Sequence, residues 1–257
     1  MAMNGDMSSD YHGKHGILKT GYSYMTPIAK LVLKAGKELG YKQRDYNAED
    51  MIGIHQAQNT VYNGWRQSSN EFLKQAADQR PERLHIVGRA HVRQVVFEAD
   101  TNGVRRATGV IYVRDGVEVN VRARNEVILS AGSVGSPQLL LLSGIGPKTH
   151  LKEKEIPIIA DLPGVGKNLQ DHVMTPALFY GPNVPPRSSI DDYTIFTAMP
   201  QYLIGNGGPL TYSGLDVTSF IRTPLAKSKS PDIQMTQLSA QLTLGSLDLN
   251  ERLFNFG

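Results

Sequence analysis

The stretch from Gly132 to Pro147, Gly-Ser-Val-Gly-Ser-Pro-Gln-Leu-Leu-Leu-Leu-Ser-Gly-Ile-Gly-Pro, limits what this chain can fold into more than any other. The residues before it, Val127-Ile128-Leu129-Ser130-Ala131, read as a buried strand; Gly132 frees the backbone to turn or to approach a ligand closely, and Pro137 starts a helix. Gly144 and Gly146 then stop that helix. A strand that opens through glycine into a helix suits a dinucleotide. Main-chain N–H groups near the helix start can face a diphosphate or an adenosine with no side chain in the way. On residues alone, a purely structural turn of the same shape stays open as the alternative.

Two other chemistries compete for these residues. Ala131-Gly132-Ser133-Val134-Gly135 is a nucleophile-elbow pattern with its first glycine replaced by alanine, and Asp161 and His172 follow Ser133 in the order a hydrolase triad needs. The acid and base of such a fold come from later strands separated by helices, and the spacing here is too short for that. A nicotinamide enzyme should show a full Gly-x-Gly-x-x-Gly turn, yet Gly144-Ile145-Gly146 and Gly164-Val165-Gly166 carry Thr149 and Leu169 at their sixth positions. Both read as helix-ending or turn glycines.

Bulk properties exclude several classes. The 27 basic and 24 acidic residues leave a formal charge of only +3, too small over 257 residues to draw a nucleic acid. Arg105, Arg106, Arg114, Arg122 and Arg124 lie without interleaved aromatics and belong to a solvated face. The chain has no cysteine, which removes disulfides and thiol chemistry. Its histidines make no i, i+4 pair for a metal, so no metal site is expected. His172 beside Asp171 is either an oriented base or a loop histidine bonded to backbone. No stretch is apolar enough to span a bilayer, and the first ten residues lack the apolar core of a signal peptide. The compartment is not readable from the chain.

Elsewhere the patterns are local. Thr26 caps a helix that starts at Pro27, carries an apolar stripe of Ile28, Leu31, Val32, Ala35 and Leu39, and ends at Gly40. Ser68-Ser69-Asn70-Glu71 has capping-box spacing for a second helix running toward Pro81. Strand patterns cover Leu84–Val87, Val92–Phe97, Gly109–Val113, Val117–Val121 and Val127–Ser130. Asp100-Thr101-Asn102-Gly103 and Asp115-Gly116 are hairpin turns between the middle three. His150–Glu155 reads as a short charged helix and 156–163 as extended. Pro182, Pro185 and Pro186 mark a boundary, after which Gly208–Thr223 and Asp232–Met235 give strands of a second region.

The run from Gly132 resembles the second signature of the glucose-methanol-choline (GMC) family of flavin oxidoreductases. Tyr11-His12-Gly13, Gly64-Trp65-Arg66, Asn168-Leu169-Gln170-Asp171-His172 and Gly207-Gly208-Pro209-Leu210-Thr211 are similar to its arthropod, glucose-dehydrogenase-like branch. The resemblance implies an α+β fold: a partial FAD-binding domain with a β-meander over residues 1–175, then the start of an antiparallel-sheet substrate domain over 176–257. It implies FAD as cofactor, oxidation of a small-molecule alcohol or sugar with hydride transfer to the flavin, and oxygen or a quinone as electron acceptor. It places Val92 against the adenine through its main chain, Ala131 and Gly132 near the adenosine, and Ser133 and Pro137 in the turn.

Three family features are missing: the opening Gly-x-Gly-x-x-Gly turn, the acidic residue that binds ribose, and the late segment with the histidine base. The expectation is therefore a central fragment of a longer enzyme, with no catalytic residue among these 257; its localisation stays unknown, secretion of the full-length protein being compatible with the resemblance. The alternative is a truncated, non-catalytic paralogue that acts as a binding or interaction protein.

Overall fold

The computed structural model describes residues 10–13, 15–175, 192–205 and 207–238, and of 192–195 the backbone alone. The proline boundary at 182–186 and the first nine residues lie outside them. Helices mix with mainly antiparallel sheets, as the α+β expectation requires. Two compact units emerge, one from residues up to Leu84 with those from 192 on, the other from His85 to 175.

In the first unit, helix α1 (Pro27–Glu38) begins where the sequence sets it: Thr26 is extended, its Oγ1 accepts from the Ala29 N–H at 3.4 Å, and Pro27 takes the first helical position. Gly40, at φ 87°, ends it in the left-handed region. The face it buries differs from the expected stripe. Leu39 is 77 % exposed and Leu31 is also outside, whereas Ala29 and Gly36 are buried. The reason is a close approach to a strand: a Cβ on Gly36 would stand 2.6 Å from Ile54 Cδ1. The small residues admit Ile54, and Ala29, Ile54 and Val217 form the core there, flanked by Met25, Val32, Leu33 and Tyr41. Burying each of the larger side chains contributes about 1.5–3 kcal/mol.

Ile54 belongs to β2 (Gly53–Gln56). This strand pairs antiparallel with β11 (Val217–Ile221), and β11 with β12 (Ile233–Gln237). One sheet thus unites strands from before and after residue 175, all within the first unit. Short pairs complete the unit: β1 (Gly21–Tyr22) with β3 (Gln58–Asn59), and the hairpin of β4 (Val61–Tyr62) and β5 (Trp65–Arg66), turned by Asn63 at φ 49° and Gly64 at φ 76°. Helix α2 (Asn70–Gln79) forms without the capping box. The Ser68 Oγ accepts from the Asn70 N–H at 3.3 Å, and Ser69 at the cap position makes no side-chain bond. Helix α5 (Asp192–Gly205), which contains Pro200, lies where no helix is expected from the sequence.

The second unit is built on the meander β6 (His91–Ala99), β7 (Arg105–Arg114) and β8 (Val117–Arg122), in that spatial order. Both expected turns form. Asp100 Oδ1 accepts from the N–H groups of Asn102 and Val104, both at 2.8 Å, and Asp115 and Gly116 sit at φ 50° and 80°. The arginines named above are solvent-facing, and Arg122 pairs with Glu98 at 3.0 Å. Helix α3 (Gly132–Leu142) packs on β6. Beyond it, β9 (Ile145–Gly146) pairs in parallel with β10 (Ala160–Asp161), and α4 (Lys148–Glu153) between them buries Leu151 completely.

Two expected strands are corrected. Leu84–Val87 and Val127–Ser130 join no ladder among the described residues. The latter alternates in exposure, with Ile128 76 % exposed, so it is extended but not buried. A strand needs a neighbour for its backbone groups, and the described residues supply none.

Candidate cofactor site

Gly132 is where the local geometry turns. It lies at φ 80°, a conformation that favours glycine, and a Cβ placed there would meet nothing within 4 Å. The helix begins at once rather than at Pro137, which stands inside it. Proline in that place removes one intrahelical bond. The Ser136 hydroxyl, one residue before it, reaches back to accept from the Ala131 N–H at 3.0 Å and tightens the entry. That bond occupies the Ala131 amide, so Ala131 would meet a ligand through its carbonyl or methyl group. Residues 131–134 are exposed, and the start of α3 is open to a binding group.

Val92 lies on β6, the edge strand of the meander, next to a bulge between Val92 and Gln94. A bulge re-aims the backbone locally. His91, Arg93, Gln94, Ile111, Glu118 and Leu142 line a hollow of about 320 Å³ beside it. A larger cleft of about 690 Å³ runs along α3, with Ser133, Pro137, Leu141, His150, Lys167 and Leu169 in its lining. Because α3 packs across β6, the elements carrying Val92 and those carrying Ala131 and Gly132 are neighbours.

The hydrolase constellation does not assemble. Asp161 Oδ1 accepts from the Lys148 N–H at 3.0 Å and so caps α4. The Asp171 carboxylate accepts at 2.7 Å from the backbone N–H of His172, not from its ring, and His172 is exposed. Ser133 therefore has neither an acid nor an oriented base.

Among the described residues no group of His, Asp and Glu could hold a metal ion, and no described helix is long and apolar enough to cross a membrane. His55 is buried, with Nδ1 at 2.8 Å from the Arg44 carbonyl and Nε2 at 2.9 Å from that of Met51. Desolvation outweighs these bonds and lowers its pKa. His12 pairs with Asp45, whose Oδ1 also accepts from Gln58 Nε2 at 2.8 Å and the Asn47 N–H at 3.1 Å. Burial acts to raise the pKa of Asp45, but these hydrogen bonds and the nearby His12 together hold it low. Both histidines are fixed by structural bonds.

One residue that the spacing does not reveal is Ser143. It stands in the signature run, yet only the fold shows its hydroxyl between α3 and β6, accepting from the Val95 N–H at 2.9 Å.

Comparison with known proteins agrees over most of the chain. Residues 7–174 match the family model of GMC oxidoreductases. A glucose dehydrogenase (FAD, quinone) of Drosophila melanogaster is 35 % identical over 239 residues, which is 90 % of this chain and 36 % of the relative. An oxygen-dependent choline dehydrogenase of Rhizobium etli is 37 % identical over 223 residues, 82 % of this chain and 37 % of its own. Among solved structures, an FAD-dependent oxidoreductase from Chaetomium thermophilum superposes with a TM-score of 0.72 at 25 % identity, covering 85 % of this chain and 39 % of that one. The chain spans little more than a third of the length of these curated relatives.

Proposed function

Because the chain belongs to the GMC oxidoreductase family, we propose that it forms part of an FAD-dependent enzyme that oxidises CH–OH donors, an alcohol or a sugar. Residues 1–175 serve the flavin domain and residues 176–257 begin the substrate domain; the end of the family match at 174 supports that limit. The observation that carries the reading is that this match contains Val92, Ala131 and Gly132, with the start of α3 exposed and Val92 on an open strand edge.

The residues fit the group. An adenine recognised through main chain needs a strand edge, and Val92 sits on one. An adenosine brought against a helix start needs no side chain in its path, and the space at Gly132 is open. When bound, FAD supplies the hydride chemistry and passes electrons to oxygen or a quinone. The chain's own contribution is to position: β6 offers its edge, α3 offers its first turn, and Ser136 holds the Ala131 amide inward. None of the described histidines is set up as a base. That role falls to the part of the protein that corresponds to the remaining length of its relatives.

The test is flavin content and turnover of the protein made at its native length. A flavin spectrum at one cofactor per chain, with alcohol-dependent reduction of a quinone or of oxygen, is the expected result. A soluble, folded protein that retains no flavin and reduces no acceptor would overturn the reading in favour of a non-catalytic binding protein.

A further inference from the structure

We infer that Ser143 is the positioning residue that sets α3 against β6 and thereby fixes the spacing between the two main-chain surfaces assigned to the adenosine half of the cofactor. The inference rests on the cofactor reading above and adds a residue that touches no ligand. Ser143 is 2 % exposed and closes α3. Its hydroxyl donates to the Leu139 carbonyl at 2.6 Å and accepts from the Val95 N–H at 2.9 Å. Its own N–H is shared by the carbonyls of Leu139 and Leu140, both at 3.1 Å. One hydroxyl thus serves the last turn of the helix and the open edge of β6 together.

The Val95 N–H points away from β7, along the same edge that carries Val92 three residues earlier. Left without Ser143 it would be a buried donor with no acceptor. The helix then acts as a rigid spacer. Eleven residues at about 1.5 Å each make a rod of about 16 Å, pinned at Ser143 and presenting Gly132 at its far end. Loosening the pin lets that end move relative to Val92, so two contacts made to one ligand no longer coincide. Gly144, at φ 82°, follows directly and leads the chain away into β9.

The experiment compares Ser143→Ala, Ser143→Cys and, as a stability control, Leu151→Val in the native-length protein. ADP serves as the probe of the adenosine site, FAD retention as a second reading, and hydrogen exchange at the Val95 amide as a direct report of the bond. Ser143→Cys keeps the volume and weakens both bonds, so it serves if the alanine variant does not fold. Ser143→Ala is expected to weaken ADP binding about tenfold, the size of one buried hydrogen bond, and to speed exchange at Val95. Leu151→Val, at a similar loss of Tm, retains ADP affinity. Equal ADP affinity in wild type and both Ser143 variants, or an equal loss in Leu151→Val, overturns the inference alone. A wild-type protein that binds neither ADP nor FAD overturns the cofactor reading as well.

Discussion

Thr26 and Asp216 are joined by two hydrogen bonds across 190 residues of sequence: the Thr26 N–H donates to Oδ1 at 3.1 Å and its Oγ1 donates to Oδ2 at 2.9 Å. Both are essentially fully buried, and the carboxylate sits at the positive end of α1, where a negative charge is favoured. The Asp216 main chain is also engaged, its carbonyl accepting from the Ala57 N–H at 2.9 Å. Asp216→Ala strips acceptors from a buried helix start. It should destabilise the protein by about 2–4 kcal/mol, with Asp216→Asn losing less, as read by urea unfolding.

The first unit should weaken in acid. The His55 pKa is lowered from its ordinary 6.5, so as pH falls below that value the unfolded chain takes up a proton that the native state refuses. Stability is then lost between 6.5 and the depressed native value. The lowered pKa of Asp45 acts the same way at lower pH: its contribution is present above the ordinary carboxylate range and is lost as pH falls through the native value. Denaturation midpoints measured from pH 8 down to about pH 2 should fall in two stages, and replacing His55 by a neutral isostere should flatten the upper one.

Glycines of similar φ should differ sharply in tolerance. A Cβ on Gly144 would stand 2.2 Å from the Pro157 carbonyl oxygen, a backbone atom that cannot swing aside, whereas at Gly132 the space is open. Gly144→Ala should cost about 3 kcal/mol or more and Gly132→Ala only about 1 kcal/mol, the price of a left-handed alanine. Thermal unfolding of both variants checks the ranking.

Ser133 and Asp161 should behave as structural residues. Ser133→Ala leaves any flavin content and turnover of the protein unchanged, while Asp161→Ala removes the cap of α4 and lowers stability by about 1 kcal/mol. Loss of an esterase activity in Ser133→Ala would contradict this assignment.

The ends of α1, the meander and its two turns are legible in the sequence because capping and turn chemistry are local: Thr26, Pro27, Asp100 and Gly116 act on residues within four positions. The buried face of α1 is not legible. Gly36 faces inward because Ile54 arrives from another element, and no periodicity along α1 reports what a partner strand will bring. The same holds for Val127–Ser130, whose composition promises burial that only a neighbouring strand could provide. At the candidate site, Gly132 and Pro137 mark the turn, but the helix start shifts because Ser136 reaches back to Ala131. Ser143 is visible as a letter in a motif, while its bond to Val95 depends on how α3 lies on the meander.

The pairing of β2 with β11 also sets a timetable for synthesis. Roughly 160 residues separate Gln56 from its partner Val217, and ribosomes add about 5–20 residues per second. The nascent β2 must therefore wait on the order of ten seconds for a companion, while the whole meander and α3 emerge and can assemble behind it. A strand whose Ile54 and backbone edge stay unmatched that long is a natural client for a chaperone, and slowing translation between Gln56 and Val217 would lengthen its exposure.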